Sequence, residues 1–207
     1  RDVSHLTFPD EVQELPLENN EKASTPKGRI TPMTIAPPAE SLKEAIEMLN
    51  EAKRPTIIVG HGARFHMDAI TAFAEKLKCP VLTTFKGKGL ISDNHPLGCG
   101  VLGRSGTPVA SWFMNESDLL LVIGASFSNH TGITPKKPTI QIDFDPLALS
   151  KFHEIDVAVW GEISVTVSML NDQLSMLDNK IDQTKEISSR WNIWRMEKKK
   201  RLMEERG

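Results

Sequence analysis

The chain has 207 residues, 39% of them hydrophobic and 25% charged, an ordinary globular composition with room for one large domain plus arms. Its 25 basic and 27 acidic side chains leave a formal net charge of −2, so nothing global points to nucleic acid or to an anionic membrane surface. No apolar run approaches the ~18 residues needed to cross a bilayer.

The start carries no initiator Met and no signal-peptide pattern, so the chain reads as cut from something longer. Six of the thirteen prolines fall within residues 1–38, in a polar stretch of little periodicity that reads as an extended arm or linker. Order is expected from Ser41, where Ser41-Leu-Lys-Glu44 matches a capping box and Leu42, Ala45, Ile46 and Leu49 follow at helical spacing. Pro55-Thr-Ile-Ile-Val-Gly60 is the first strand, an apolar run without polar alternation, as a parallel strand buried on both faces requires. Met67, Ile70, Phe73, Ala74 and Leu77 mark the next helix.

Pro80-Val-Leu-Thr-Thr84 reads as a second strand and Pro96-Leu-Gly-Cys-Gly-Val101 as a weak third. A helix over 109–115 leads to Leu119-Leu-Leu-Val-Ile-Gly124, then to Pro138-Thr-Ile-Gln-Ile-Asp143, and Asp156-Val-Ala-Val-Trp160 is the last strand. A helix over 163–177 follows. Strand and helix alternating in this way predict an α/β fold, a doubly wound parallel sheet with helices on both faces. Ligands of such sheets sit outside the carboxyl ends of the strands, where these runs stop at a glycine or an acid.

Residues 179–207 are set apart as a charged helix or linker. Within 184–207 there are eight basic and four acidic side chains, with Ile187, Trp191 and Trp194 along one face. Interleaved charges and a tryptophan stripe argue against base stacking and for docking, with pairing to a second copy the favoured outcome at high concentration.

Cys79 and Cys99 lack metal-ligand spacing and read as buried, inert thiols of a reducing, cytoplasmic protein. Gly60-His-Gly-Ala-Arg-Phe65 lacks the third glycine of a dinucleotide fingerprint. The second strand ends on the basic run Phe85-Lys-Gly-Lys-Gly89, where NAD binding would want an acid. Arg64, Lys86, Lys88 and Arg104 either line a phosphate path or are surface cations on a flexible glycine loop. Eight of the thirteen glycines lie between 60 and 106, including Gly98, Gly100, Gly103 and Gly106, which suits either close approach to an anionic ligand or a tight crossover. Asp143 and Asp145 either accept hydrogen bonds from a ribose or adenine or form an Asx turn before Pro146. His61 and His130 sit at strand exits. No histidine pairs with a nucleophile or shows ligand spacing, so neither a triad nor a zinc site is supported.

In order, Arg54-Pro-Thr-Ile-Ile-Val-Gly-His-Gly62, Cys79-Pro-Val-Leu-Thr-Thr84, Gly87-Lys-Gly89, His95-Pro-Leu-Gly98, Gly103-Arg-Ser-Gly106, Ser117-Asp-Leu-Leu-Leu-Val-Ile-Gly124, Ile142-Asp-Phe-Asp-Pro146 and Gly161-Glu162 resemble the middle domain of thiamine-diphosphate-dependent enzymes of the acetolactate synthase and pyruvate oxidase kind. The match covers about residues 40–178, and Arg1-Asp-Val-Ser4 is similar to the end of the preceding pyrimidine-binding domain. The resemblance implies a six-stranded, Rossmann-like sheet over 39–178 that holds FAD in some members, ADP in others, and an empty cleft in the rest. By position it implies Gly62, Gly103, Arg104, Gly106, Gly124, Asp143, Asp145 and Glu162 as cofactor-binding residues, beside Gly60, Arg64 and Lys88 from the strand exits. Two places depart from it: Ser126 and His130 stand where flavin-binding relatives often carry arginines, and Glu162 stands in place of Asp.

The family's catalytic glutamate and its Gly-Asp-Gly…Asn-Asn motif for metal and diphosphate lie in other domains, and no such run occurs here. The resemblance therefore implies a segment with no catalytic or metal-binding residue of its own. Thiamine diphosphate and Mg would be held by the parent's pyrimidine- and diphosphate-binding domains, and the parent would be a homodimer or homotetramer acting on a 2-oxo acid. The rival readings are a stand-alone nucleotide-binding module and a structural spacer with an empty cleft. A bulky residue in place of Gly62 is expected to abolish nucleotide binding and leave the fold intact.

Overall fold

The computed structural model describes residues 5–16, 25, 27–32, 34–126, 128, 131–132, 136–175 and 177–204. Contacts divide the chain into Arg1–Met33 and Thr34–Gly207. In the first unit the described residues form one short helix, α1 (Asp10–Gln13), which buries no side chain. The Gln13 amide holds it by donating to the Phe8 carbonyl at 2.9 Å.

The second unit runs α2 (Ala39–Glu51), β1 (Pro55–Val59), α3 (Met67–Leu77), β2 (Val81–Thr83), β3 (Gly98–Val101), α4 (Pro108–Glu116), β4 (Leu119–Ile123), β5 (Thr139–Asp143), β6 (Val157–Trp160), α5 (Ile163–Gln173) and α6 (Thr184–Glu204). The strands form one sheet in the order β3-β2-β1-β4-β5-β6, and every pair is parallel. This is the doubly wound α/β fold expected from the alternation of strand and helix. β1, β4 and β5 are buried along their whole length, which is why their sequences show no alternation. β6 is an edge, and there burial alternates between Val157 and Val159 inside and Ala158 and Trp160 outside.

Helix α2 starts at Ala39 after Pro38, two residues ahead of the expected capping box. Ser41 instead lies inside the first turn and donates to the Pro38 carbonyl at 3.1 Å. A proline with its φ already set starts the helix without a side-chain cap. Helix α5 stops at Gln173, short of the expected Leu177.

Three helix ends that lack a C-terminal glycine are each closed by a lysine from elsewhere in the chain. Lys180 donates to the carbonyls of Asn50 and Ala52 at the end of α2, at 3.0 and 2.7 Å. Lys76 donates to Asn171 near the end of α5 at 2.6 Å. Lys137 donates to Asn115 and, at 2.6 Å, to Ser117 at the end of α4. An ammonium there meets both the orphan carbonyls and the negative end of the helix dipole. Burial holds the Lys180 ammonium below its ordinary range, with Asp118 acting against that shift.

The tryptophan stripe of α6 is covered by its own domain. Ile187 and Trp191 are buried, and the Trp191 indole donates to the Gly98 carbonyl of edge strand β3 at 2.8 Å. Arg54 pairs with Glu186 at 2.6 Å, and the Arg190 guanidinium lies 3.8 Å from the centroid of the Trp112 ring on α4. The stripe thus folds back onto its own sheet domain, over the free edge of β3, and an unpaired edge is what a sheet has to cover. From Arg195 to Glu204 the helix is exposed. Among the described residues no helix is long and apolar enough to cross a membrane.

Candidate nucleotide cleft at the strand carboxyl ends

Strands β1 and β4 are neighbours, and the chain winds outward from them in both directions, so the topological switch point lies between their exits. The exits touch through backbone. Gly60 N–H donates to Ile123 and Gly62 N–H to Gly124, each at 2.9 Å. A Cβ on Gly62 would stand 2.9 Å from Gly124 Cα, and one on Gly60 would stand 2.3 Å from the Gly124 carbonyl. Gly62 is therefore packing as well as surface, and a bulky residue there disturbs the fold together with any ligand. That overturns the expectation that such a variant would leave the fold intact.

Next to this seam, the turn at His61–Ala63 packs against the turn at Phe85–Gly87 after β2. Arg64 donates to the His61 carbonyl at 3.1 Å, and its guanidinium lies 4.4 Å from the centroid of the exposed Phe65 ring. Lys86 and Lys88 are exposed and have no ion pair or side-chain hydrogen bond among the described residues. The same holds for Arg104, on the turn leaving β3. That turn is tight: Gly106 N–H donates to Gly103 at 2.9 Å, and a Cβ on Gly106 would lie 2.1 Å from the Val101 carbonyl. Thr107 then caps α4 by accepting from Ala110 N–H at 3.1 Å.

At the end of β5, Asp143 is buried and accepts from Asp145 N–H at 2.9 Å, and Asp145 accepts from Leu147 N–H at 2.9 Å. Both acids thus make the Asx turns that were one of the two readings. In each turn the accepting atom is Oδ1. Burial pushes the Asp143 carboxyl above its ordinary value of 3.8, against the pull of the Asp145 N–H.

Glu162 caps α5. Its Oε2 accepts from Val165 N–H at 2.8 Å and from Ser164 Oγ at 2.7 Å, and its Oε1 lies 3.2 Å from His66 Nδ1. Burial alone would raise this carboxyl, but the Ser164 and Val165 donors and the His66 imidazole outweigh it and hold it below 4.5. Glu162 is thereby spoken for within the fold. His66 and the core amide Gln141 were both missed in the sequence. A single polar residue inside the apolar run Thr139-Ile-Gln-Ile-Asp143 was the available signal for Gln141. His130 lies outside the described residues. Cys79 and Cys99 are buried free thiols, and burial pushes Cys79 up to about 12. No group of three potential metal ligands occurs among the described residues.

Open parallel sheets wound in both directions from a central pair, with cations and acids at the strand exits, define a class of nucleotide-fold domains. Residues 42–170 match the thiamine pyrophosphate enzyme central-domain family, and the chain belongs to it. It is 35% identical over 200 residues to a protein of Methanococcus aeolicus assigned as acetolactate synthase large subunit, covering 90% of this chain and 33% of that one. It is 30% identical to the acetolactate synthase isozyme 2 large subunit of Escherichia coli, covering 68% of this chain and 27% of the other. An X-ray structure assigned as a thiamin diphosphate-dependent enzyme, isolated from Mycobacterium smegmatis, superposes with a TM-score of 0.61 at 25% identity, over 74% of this chain and 31% of that one. The chain thus spans about a third of the length of the curated relatives it matches.

Proposed function

We propose that this chain is the central domain of a thiamine-diphosphate-dependent enzyme of the acetolactate synthase kind, a cytoplasmic homo-oligomer that decarboxylates a 2-oxo acid and joins the product to an acceptor. The observation that carries this reading is the identity to an acetolactate synthase large subunit across nine-tenths of the chain, at 35%. Thiamine diphosphate supplies the electron sink when bound, and it belongs with Mg to the neighbouring pyrimidine- and diphosphate-binding domains. This chain, without a Gly-Asp-Gly…Asn-Asn run, holds neither. Its part is to space those domains and to take an adenine nucleotide, FAD or ADP, across the strand carboxyl ends.

The residues present fit such a nucleotide. Lys86, Lys88 and Arg104 are exposed cations with no anion among the described residues, and Arg64, Phe65 and Phe85 are exposed at the neighbouring exits of β1 and β2. Lysines and arginines left unpaired on one rim favour a diphosphate. The Oδ2 atoms of Asp143 and Asp145 are acceptors for a ribose or an adenine amine. The Gly60, Gly62, Gly103, Gly106 and Gly124 backbones form the floor. The second reading, a spacer with an empty cleft, is favoured by one observation: Glu162 spends both carboxylate oxygens on its own chain.

Two measurements test the proposal. The intact polypeptide, given thiamine diphosphate, Mg²⁺ and a 2-oxo acid, is expected to release CO₂, whereas this chain alone is expected to be inert. Turnover proportional to this chain's own concentration overturns the reading. Calorimetric titration of this chain with FAD and with ADP separates a nucleotide domain from a spacer, and heats of dilution alone support the spacer.

A further inference from the structure

Gln141 sits at the middle of β5 with 1% of its surface exposed, between Ile140 and Ile142. A buried amide must place two donors and an acceptor or lose stability. Here Nε2 donates to the Ala125 carbonyl at 2.9 Å and to the Ala148 carbonyl at 3.0 Å, and Oε1 accepts from Ser150 N–H at 2.9 Å. None of these partners lies in a strand. Ala125 follows Gly124 on the exit of β4, and Ala148 and Ser150 lie on the loop leaving β5. Ser150 is held at φ +55°, a region that favours glycine. The near end of that loop carries Asp143 and Asp145, and Ala148 N–H donates back to the Asp145 carbonyl at 3.0 Å.

Two exit loops on adjacent strands are therefore joined by one side chain. On the other side of β4 the join to β1 is made by backbone, through Gly62 and Gly124. Resting on the nucleotide reading above, we infer that Gln141 is the positioning residue of the cleft. Its amide sets the separation of the β4 and β5 exits, and with it the direction in which Asp143 and Asp145 face an adenine nucleotide. Gln141 touches no ligand. An apolar side chain of similar size fills the same core space, but it leaves two carbonyls and one N–H without partners, and the loop must move to find water.

The fold supplies its own reporters. The Trp160 indole donates to the Phe144 carbonyl at 2.9 Å, on the loop in question. The Trp191 indole donates to Gly98 on the opposite edge of the sheet. The experiment follows both indole N–H signals in proton–nitrogen correlation spectra of the full chain, with Trp160 assigned through Trp160→Phe. In Gln141→Met the Trp160 signal is expected to shift and exchange faster with solvent while the Trp191 signal stays. ADP affinity is expected to fall about tenfold, the loss that one or two orphaned polar groups bring.

Gln141→Glu is the second variant, should Gln141→Met fail to fold. A carboxylate facing two carbonyls displaces the loop at neutral pH. Lowering the pH protonates it and restores a donor, so the Trp160 signal is expected to return toward its wild-type position. A folded variant of either kind whose Trp160 signal is unmoved overturns the inference. So does a variant in which the Trp160 and Trp191 signals move together, because the substitution then acts on the whole fold. A wild-type chain that takes up neither ADP nor FAD overturns the nucleotide reading, and the Trp160 signal still decides whether Gln141 sets the loop.

Discussion

Gly62 N–H meets the Gly124 carbonyl at 2.9 Å, and this bond fastens the exit of β1 to the exit of β4 at the switch point of the sheet. The approach is so close because Gly124 turns at φ +63°, and a Cβ built there would stand 2.4 Å from Ala63 N. Gly124→Ala therefore combines a left-handed backbone penalty with a steric overlap, together about 2–4 kcal/mol. Urea denaturation followed by circular dichroism measures it. A loss below about 0.5 kcal/mol, the usual range for a harmless surface change, would mean that the two backbones part easily.

The Thr56 hydroxyl is buried in β1 without a hydrogen-bond partner among the described residues. Threonine suits a strand, but here its oxygen has been taken from water with nothing in return. Thr56→Val keeps the shape and removes the orphan, so it is expected to leave stability unchanged or to raise it by about 1 kcal/mol. Thermal unfolding is the check, and a clear fall in Tm would reveal a partner for the hydroxyl.

Two carboxyls make acid stability asymmetric. Glu162 is held below its ordinary 4.5, so the unfolded chain binds its proton more readily than the folded one. Its contribution is complete above 4.5 and is lost as the pH falls through the folded value. Asp143 is raised above 3.8 by burial, so the folded chain binds that proton more readily, and stability drains away as the pH rises through the interval above 3.8. Glu162→Gln is expected to flatten the acid side of the stability profile. Asp143→Asn, whose Oδ1 still accepts from Asp145 N–H, is expected to raise stability at neutral pH relative to acid. Urea midpoints collected from acid to neutral pH decide both, and profiles parallel to wild type would rule the linkage out.

β1, β4 and β5 were legible because a parallel strand buried on both faces calls for a nearly continuous apolar run. The order of the sheet follows from winding outward from β1 and β4. The lysine caps were not legible: Lys76 and Asn171 are far apart in sequence, as are Lys180 and Asn50, and no local spacing announces such pairs. The capping box at Ser41 misled because proline had already started the helix. At the rim the residue types were readable, but their use was not. Asp143 looks the same in sequence whether its carboxylate closes a turn or meets a ribose, and only the fold shows that one oxygen does the first. Glu162 was implied as a ligand by its position in the family resemblance, and the fold shows what no local pattern announced, that its Oε2 caps α5 by accepting from Val165 N–H and Ser164 Oγ.

Trp191 is where the tail and the sheet meet. Its ring is buried against the domain and its indole donates to Gly98, the carbonyl of an edge strand that has a neighbour on one side only. The two parts of that contact separate by mutation. Trp191→Phe keeps most of the buried area and removes the donor, so about 1 kcal/mol is expected to be lost. Trp191→Ala removes the area as well and opens the edge, for which about 3–5 kcal/mol is expected. Trp194, whose ring lies 5.5 Å from Trp191 edge to face, should shift its emission to the red in Trp191→Ala and stay near its place in Trp191→Phe. Faster hydrogen exchange in β3 should accompany the alanine variant, since the strand then faces water. If both variants unfold at the wild-type midpoint with Trp194 emission unchanged, α6 does not hold the edge of the sheet.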